Sequence, residues 1–382
     1  MSSSTGSVPT EWTPSPGENP PKKKKTILRK VLLALIAGLA INVALGSTTD
    51  LKELAGLLSK VGPTYVLIPF LAIVAVFFVD SLRYKIVFKP FGVHLSFWDA
   101  FYNNVIGYFL CGITPSSAGG QPFQIMHFSR LGLDSAVSTN IVFSRLMETN
   151  IVQLIVVSVF AKRGVVLMNE AGKGAYILTA GIVATAVVAI LLVLAMLYPH
   201  LIGQLGKKID GSKIGQMIGR ISKEPLWAEK LSAWTLDLRE GFRFMWGKNT
   251  GVMLTDILLT AADQVLWALG LYAPLVATTG TTLPFGDFLF VFVLCNMISG
   301  FVPTPGAAGG MEATFTLVLG AITGDHAGTV SSILLWRFGS YYLHLALGAL
   351  AYALVPVAEG SYSRRPDGRI RRLGRRDRVT LR

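Results

Sequence analysis

The sequence is poor in charged residues and has almost no cysteine. Only 15% of its 382 residues are charged, whereas 52% are hydrophobic; soluble globular proteins average about 25% charged residues. This composition argues against a soluble domain and predicts a membrane protein. The two cysteines, Cys111 and Cys295, each lie in an apolar stretch, so neither a disulfide framework nor a thiolate metal site is expected. No phosphate loop, dinucleotide fingerprint, metal-ligand spacing or Ser/His/Asp arrangement occurs, and we expect no cofactor, metal or catalytic residues.

Basic residues outnumber acidic ones, but their positions argue against nucleic-acid binding. The 35 Lys and Arg residues, which give a formal charge of +13, lie almost entirely between and beyond the apolar segments. This distribution is typical of membrane topology signals. Residues 1–26 are rich in Ser, Pro, Gly and Lys and are predicted to be a disordered basic cytoplasmic tail. A cleaved signal peptide is the alternative, although no small-residue cleavage site follows the first apolar stretch. Residues 358–382 form a second basic tail.

Several apolar segments are long enough to cross a bilayer, which takes about 20 helical residues. Five segments meet this length, a sixth contains one arginine, and two further apolar regions are broken by Pro and Gly. The five are 27–46, 64–83, 136–160, 176–198 and 250–272, the sixth is 329–356, and the broken regions are 97–131 and 287–322.

The two broken regions resemble each other. The stretch from Thr114 to Gln121 is identical at five of eight positions to the stretch from Thr304 to Met311. We therefore predict a first repeat with extra helices over 27–198 and a second repeat over 250–357, separated by a cytoplasmic loop over 199–249.

The charge bias predicts how the two repeats are oriented. If each broken region enters and leaves by the same face, 28 of the 35 basic residues lie on the cytoplasmic side with both termini, as the positive-inside rule requires. The repeats are then antiparallel. The predicted fold is an all-α polytopic membrane protein with two inverted-topology repeats, whose paired re-entrant (broken) helices meet near the midplane. Full helical hairpins preserve the same sidedness and are the alternative.

The 199–249 loop contains an amphipathic pattern. Apolar residues recur at spacings of three and four, which predicts a helix: Trp227, Leu231, Trp234, Leu238, Phe242 and Met245. This helix is expected to lie on the cytoplasmic membrane surface, or else to pack against the protein's own cytoplasmic face.

The Pro/Gly tips of the broken regions are candidate binding sites. Irregular backbone at membrane depth is tolerated where it is buried in protein or lines a wet cavity, and the helix that follows each tip offers N–H groups to an anion. The candidate residues are Pro115, Gly119, Gly120, Gln121, Pro305, Gly309 and Gly310. Close helix packing is the alternative role for the glycines.

Two arginines lie deep within predicted spans. Arg145 and Arg337 are each about eight residues from a span end, which places them roughly 12 Å deep at ~1.5 Å per residue. Their planar guanidinium groups suit a phosphate. Glu148, at i+3 from Arg145, could instead neutralise it locally. Glu312 is expected to cap the helix after the second tip or to take part in ion coupling.

Other acids lie in the apolar spans. Asp256 and Asp263 are predicted to share one helix face, with Asp263 a candidate partner of Arg337. Together with Glu148 they are candidates for coupling or ion pairing. Asp80 and Arg83 are expected at the cytoplasmic interface, with a position at a cavity entrance as the alternative.

Several segments together resemble the transmembrane region of the lysylphosphatidylglycerol synthase/flippase family. They are Arg83-Tyr84, Pro115 through Pro122, Ser144 through Glu148, Pro305 through Glu312, and Arg337. In bifunctional members this region is a flippase for aminoacylated phosphatidylglycerol, and a soluble aminoacyl-transfer domain follows it. Because this chain ends in a basic tail, the resemblance implies translocation rather than aminoacylation.

The chain departs from the family pattern after the first tip. Members often show an acidic residue and an arginine there, whereas this sequence has Gln121, Gln124 and His127. The substrate therefore stays open between an aminoacylated or ordinary anionic phospholipid and a polyprenyl-phosphate carrier.

The leading hypothesis is a lipid translocase of the bacterial inner membrane. It would move an anionic phospholipid or related lipid-phosphate headgroup between leaflets by alternating access, with homo-oligomer formation left open. One alternative is a membrane-embedded enzyme of lipid or isoprenoid phosphate metabolism, whose acids are too dispersed in the sequence to argue for. Another is a non-transporting envelope scaffold, which the costly buried arginines argue against.

Overall fold

The computed structural model describes residues 62–117, 119–170, 174–197, 239–354, 362–364 and 370–372. The described helices are α1 (Pro63–Phe88), α2 (Phe97–Ile113), α3 (Gly120–Arg130), α4 (Ser135–Val159), α5 (Ala161–Glu170), α6 (Gly174–Leu197), α7 (Thr250–Thr279), α8 (Phe285–Ser299), α9 (Gly310–Thr323), α10 (His326–Arg337) and α11 (His344–Leu354). A short 3-10 turn (Lys89–Phe91) and two π-helical segments (Phe244–Lys248 and Phe338–Leu343) accompany them.

The prediction of a helical membrane protein is confirmed. Three described stretches are long and apolar enough to cross a membrane: Leu67–Phe91, Ser135–Val159 and Thr250–Thr279. The only described strands, β1 (Tyr362–Arg364) and β2 (Ile370–Arg372), form a short antiparallel pair near the C-terminus. The predicted tail 1–26, the span 27–46 and most of the C-terminal tail lie outside the described residues.

Local sequence signals explain where several helices begin and end. Asp134 precedes α4 and accepts a hydrogen bond from the Val137 amide at 3.0 Å; Asp325 caps α10 through the Gly328 amide at 2.8 Å. Such side-chain caps satisfy amides that have no partner within the helix. Gly280 ends α7 with a φ of 62°, a left-handed conformation that glycine adopts without steric cost.

Helices from the two predicted repeats pack against each other at the centre of the molecule. Helix α1 lies along α7, which also packs on α10. Helix α2 packs between α1 and α11, and α8 packs on α6. The largest apolar core surrounds α8 and includes Phe288, Phe292, Phe315 and Trp336. Candidate residues that are distant in sequence are thereby brought together.

The two Pro/Gly tips have matching φ values at two aligned positions. Ser116 and Ser117 have φ values of 51° and 54°, and the aligned Gly306 and Ala307 have values of 59° and 55°. Positive φ is uncommon for residues other than glycine. The helix after each tip begins at the matching glycine, Gly120 or Gly310. The sequence similarity thus extends to these φ values and to the helix starts, whereas Gly119 (φ −82°) and the aligned Gly309 (φ 88°) differ.

The tips also contact each other. Pro115 and Pro305 form an isolated antiparallel bridge. Beside it, the Tyr341 hydroxyl donates a hydrogen bond to the Gly112 carbonyl at 3.1 Å. The two broken regions therefore meet in one place.

The predicted span 329–356 is helical but irregular. The π-helical segment follows Arg337 directly, and Gly339 within it packs on the Pro69 region of α1: a Cβ atom built on Gly339 would lie 2.8 Å from the Pro69 Cβ and 2.9 Å from the Phe70 nitrogen. π-helical turns often occur at functional sites. Here the close approach of α1 requires a residue without a side chain.

Most of the predicted amphipathic helix lies outside the described residues. Its described end, 239–248, is helical, and both Phe242 and Met245 are buried there. Met245 packs in a cluster with Tyr84 and Phe128. This end therefore packs on the protein's own face, as the alternative reading of the segment expected.

We predict that Gly339→Val lowers the thermal unfolding temperature in detergent, because overpacking a tight contact typically costs about 1–3 kcal/mol. Gly251→Ala is the matched control, since nothing lies within 4 Å of a Cβ at that position. A thiol-reactive dye that reports exposure of the buried Cys295 measures the transition. Equal melting temperatures for both variants would contradict the close α1 contact.

Candidate functional site

Arg83 of α1 binds three carboxylates at the centre of the molecule. Its Nε donates to Asp256 Oδ1 at 2.8 Å, its Nη1 to Asp80 Oδ1 at 3.0 Å and its Nη2 to Glu148 Oε2 at 3.2 Å. The four side chains come from α1, α4 and α7, and all are buried. We call these residues, together with Arg145, the first ion cluster.

Arg145 of α4 completes the cluster. It donates to Asp80 Oδ1 through Nη2, and its guanidinium lies 3.8 Å from the centroid of the Tyr84 ring. The other Asp80 oxygen accepts a hydrogen bond from the Tyr108 hydroxyl at 2.7 Å. Arg145 Nε is buried and has no hydrogen-bond partner among the described residues. The Nε donor of this guanidinium is thus enclosed by protein without an acceptor from the described residues.

Two expectations about these charges are corrected. Glu148 pairs with Arg83 rather than with Arg145, because packing brings α1 against α4 and offers Arg145 the carboxylate of Asp80 instead. Asp80 and Arg83 are not exposed at the surface of the protein: they are only 3% and 2% exposed, and both line a cavity. Mutual neutralisation makes their burial tolerable.

The first ion cluster borders a cavity of about 230 Å³, the first cavity. Asp80, Arg83, Arg145 and Asp263 contribute charged groups to its wall, while Asn104, Gln121 and Gln124 contribute amides. Asp263 is 5% exposed, and its Oδ1 accepts no hydrogen bond from a described residue. Arg145, Gln121 and Asp263, three of the predicted site residues, therefore share one cavity.

Arg337 lies in a second cavity of about 250 Å³. Its Nε donates to Glu312 Oε1 at 2.7 Å and its Nη2 to the Gly306 carbonyl at 3.3 Å. The guanidinium stands 4.9 Å from the centroid of the Tyr341 ring. Both ring nitrogens of His344, also in this wall, lie near backbone carbonyl oxygens, Nδ1 at 2.6 Å from Ser340 and Nε2 at 3.1 Å from Tyr108.

The two cavities are neighbours. Four residues line both of them, and they are Tyr108, Cys111, Gln264 and Trp267. The combined volume falls in the range of about 300–1,000 Å³ that is typical of small-molecule sites. The cavity beside Arg145 and the cavity beside Arg337 are therefore separated by these four shared residues.

Glu312 has two partners, and it takes the place beside Arg337 that was suggested for Asp263. One Glu312 oxygen binds Arg337, while the other accepts a hydrogen bond from the Gly309 amide at 2.7 Å. The expected cap on α9 is thus present. The suggested pairing of Asp263 with Arg337 is wrong: Asp263 faces the first cavity and Arg337 the second.

The glycines of the tips are closely packed. A Cβ atom on Gly120 would lie 2.3 Å from Cys111 Sγ, and one on Gly310 would lie 2.6 Å from Val302 Cγ2. The Gly119 amide donates to Thr114 Oγ1 at 2.9 Å. These contacts match the packing alternative, and Pro115 and Pro305 contact each other rather than a cavity. A direct role of these residues in binding stays a prediction.

Sequence reasoning did not single out several cavity residues. Tyr108, Gln264, Trp267, Tyr341 and His344 lie within apolar segments and belong to no motif. The pair Asp80 and Arg83 did carry a signal, since charges at i and i+3 in an apolar helix need partners. In the described part of the chain, no group of three or more His, Cys, Asp or Glu side chains could hold a metal ion.

A family model described as "Lysylphosphatidylglycerol synthase TM region" matches residues 31–348. The chain belongs to this family. A UPF0104 membrane protein of Archaeoglobus fulgidus is 24% identical over 347 residues, covering 85% of this chain and 97% of the relative. A UPF0104 membrane protein of Methanocaldococcus jannaschii is 31% identical over 134 residues, which are 34% of this chain and 39% of the relative.

Family membership gives the matched segments a common context. The match covers all the residues of the first ion cluster and both tips, as well as Arg337 and Glu312. The printed names of the two relatives describe membrane proteins and name no substrate. The family thus establishes a lipid-related membrane protein. The kind of ligand has to be inferred from the residues that line the cavities.

We predict that Arg83→Gln destabilises the fold strongly. Removing one partner of a buried ion network leaves uncompensated charge, which costs about 3–5 kcal/mol. Arg163→Gln is the matched control: Arg163 binds Asp287 at 3.0 Å, but its side chain is 61% exposed, and exposed pairs contribute about 0–1 kcal/mol. Melting temperatures in detergent compare the two, and a shift no larger for Arg83→Gln than for Arg163→Gln would refute the central role of the cluster.

Proposed function

We propose that the protein translocates a lipid with an anionic phosphate headgroup between the two leaflets. The observation that carries this proposal is the pair of adjoining cavities, each with a buried arginine in its wall. Arg145 lines the first cavity, and its buried Nε donor has no acceptor among the described residues. A buried guanidinium with a spare donor is suited to a phosphate oxygen.

The lipid tails would stay outside the protein. The outer surfaces of α1, α6 and α7 carry exposed apolar side chains, among them Leu71, Leu191 and Leu258. Such a surface is suited to acyl chains, whereas the cavities offer polar groups. A headgroup in the cavities with its tails in the bilayer matches this division.

The two halves are proposed to be inverted repeats, over 27–198 and 250–357, with the broken helices re-entering the membrane. The matching φ values at the tips and the antiparallel bridge between the equivalent Pro115 and Pro305 support this arrangement, because related copies meeting at an approximate two-fold axis pair equivalent residues. The packing of α1 on α7 agrees with it. Alternating access would then follow from exchange of the conformations of the two halves.

A membrane enzyme of lipid phosphate metabolism is the second candidate. Acids that seemed dispersed in the sequence converge, since Asp80, Glu148 and Asp256 all bind Arg83. Their orientation toward a guanidinium rather than toward a common empty centre favours ion pairing over acid–base work. A chemically altered lipid after incubation with the purified protein would support the enzyme.

We predict that Arg145→Gln and Arg337→Gln each lower the initial translocation rate at least about tenfold, the effect of losing ~1.4 kcal/mol of phosphate binding. Purified protein in proteoliposomes is given fluorescent phosphatidylglycerol, phosphatidylcholine or a polyprenyl phosphate. Quenching of outer-leaflet fluorescence measures the rate. The two anionic lipids should be transported, and phosphatidylcholine should not.

Arg163→Gln is the control, because Arg163 lines neither cavity. It should transport at the wild-type rate. If the cavity variants also transport normally, the arginines do not bind the headgroup. If the wild type moves no lipid of the panel under any condition, the translocase proposal itself fails.

Sidedness follows from the proposed cytoplasmic location of both termini and of the 199–249 loop. Single cysteines replace the exposed Thr282 and Gly247 in a chain whose two native cysteines are changed to serine. A membrane-impermeant maleimide should label position 282 in intact cells and position 247 only after permeabilisation. The reverse pattern would refute the orientation.

A further inference from the structure

The first ion cluster and the neighbouring Asp263 together have more acids than bases, which conflicts with simple anion binding. Asp80, Glu148, Asp256 and Asp263 face only two guanidiniums, those of Arg83 and Arg145. With every group ionised, the site would carry two excess negative charges. Buried charges without partners are strongly disfavoured, and a phosphate would add another negative charge.

Asp263 is the acid of the first cavity for which the described residues supply no ion pair. Its side chain is 5% exposed, it lines the first cavity, and its Oδ1 accepts no hydrogen bond from a described residue. Each of the other acids pairs with a guanidinium: Asp80 binds Tyr108 and both arginines, while Glu148 and Asp256 share Arg83. Glu148 Oε1 and Asp256 Oδ2 also lack a hydrogen-bond partner among the described residues, but their carboxylates each bind Arg83 through the other oxygen. Asp263 is therefore the carboxylate whose charge is least compensated.

We propose that the first cavity is a proton site, in which Asp263 takes up one proton when the lipid phosphate binds to Arg145. This inference rests on the proposed translocase function and gives it an energy source. Protonation adds one O–H bond to the Asp263 carboxylate, and the proton comes from the aqueous phase that reaches the cavity. The proton leaves again on the side where the phosphate is released, so one anionic lipid crosses with one proton and no net charge.

The surroundings of Asp263 favour this exchange. The titratable residues that share its cavity are Asp80, Arg83 and Tyr84 from α1, Tyr108 from α2 and Arg145 from α4. Asp256 lies on its own helix, and Glu148 lies beyond Arg83. The other titratable groups of the described elements packed against α7 do not line the first cavity. They are Tyr65, Lys85, Lys248, Asp287, Cys295, His326 and Arg337. Phosphate binding and proton binding thus stabilise each other, and by linkage the coupling is reciprocal.

The test uses wild-type proteoliposomes with fluorescent phosphatidylglycerol and an entrapped pH dye. A pH gradient of one unit is imposed with the membrane potential clamped to zero by valinomycin and potassium. With one proton per lipid, the equilibrium ratio of lipid between leaflets should shift toward the alkaline side by up to about tenfold per pH unit. Nigericin, which collapses the gradient, should abolish the shift.

Three variants locate the proton. Asp263→Asn should lose the shift in leaflet ratio, and binding of short-chain phosphatidylglycerol to this variant in weakly buffered detergent should take up no proton, whereas the wild type takes up one. Asp287→Asn, which changes an acid outside both cavities, should keep the full shift. His344→Gln changes a residue in the wall of the second cavity, and its leaflet ratio should also shift with the pH gradient.

The outcomes separate the two proposals. Wild-type translocation with a leaflet ratio that ignores the gradient would overturn proton coupling and leave the translocase intact. A gradient response that survives in Asp263→Asn, or disappears only in His344→Gln, would overturn the assignment to Asp263. If Asp263→Asn transports nothing, the proposal is tested by measuring proton uptake when this variant binds lipid in detergent. An uptake equal to that of the wild type would count against the proposal.

Discussion

The guanidinium of Arg83 is the constraint on which the centre of this protein depends. It joins carboxylates from three helices, Asp80 on its own helix, Glu148 on α4 and Asp256 on α7. Within a membrane none of these charges could remain unpaired without a large penalty. The packing of α1 on α7 and the position of α4 are therefore linked to a single set of hydrogen bonds, which also leaves Arg145 at the edge of a cavity.

Charge compensation differs between the two cavities. Arg337 receives its carboxylate from Glu312, at the start of the helix after the second tip. The residue at the aligned position after the first tip is Pro122, which has no carboxylate to offer, and Arg145 binds Asp80 of α1 instead. The two arginines are therefore neutralised by carboxylates from different parts of the chain. The cluster with more acids than bases borders the first cavity, and this difference is the basis for assigning the proton there.

The tips illustrate how a sequence repeat translates into structure. Thr114-Pro115 and Thr304-Pro305 mark equivalent turns, and both turns place residues at positive φ. Their glycines serve close contacts with neighbouring side chains such as Cys111 and Val302. The second tip contacts Arg337 through the Gly306 carbonyl, and Ser117 and Gly306 line part of the second cavity. Most groups that line the cavities come from the long helices.

The helical membrane class, the spans at 64–83, 136–160 and 250–272, and the sequence similarity of the two broken regions could be predicted from the sequence alone, because hydropathy and Pro/Gly clusters are local signals. The burial of Arg145 and Arg337 could be predicted in the same way. Only the tertiary structure decided the ion partners. Glu148 is near Arg145 in sequence but binds Arg83, and Asp263 faces the first cavity rather than Arg337. Partner choice depends on which helices pack together, and a charge pattern along one helix does not contain that information.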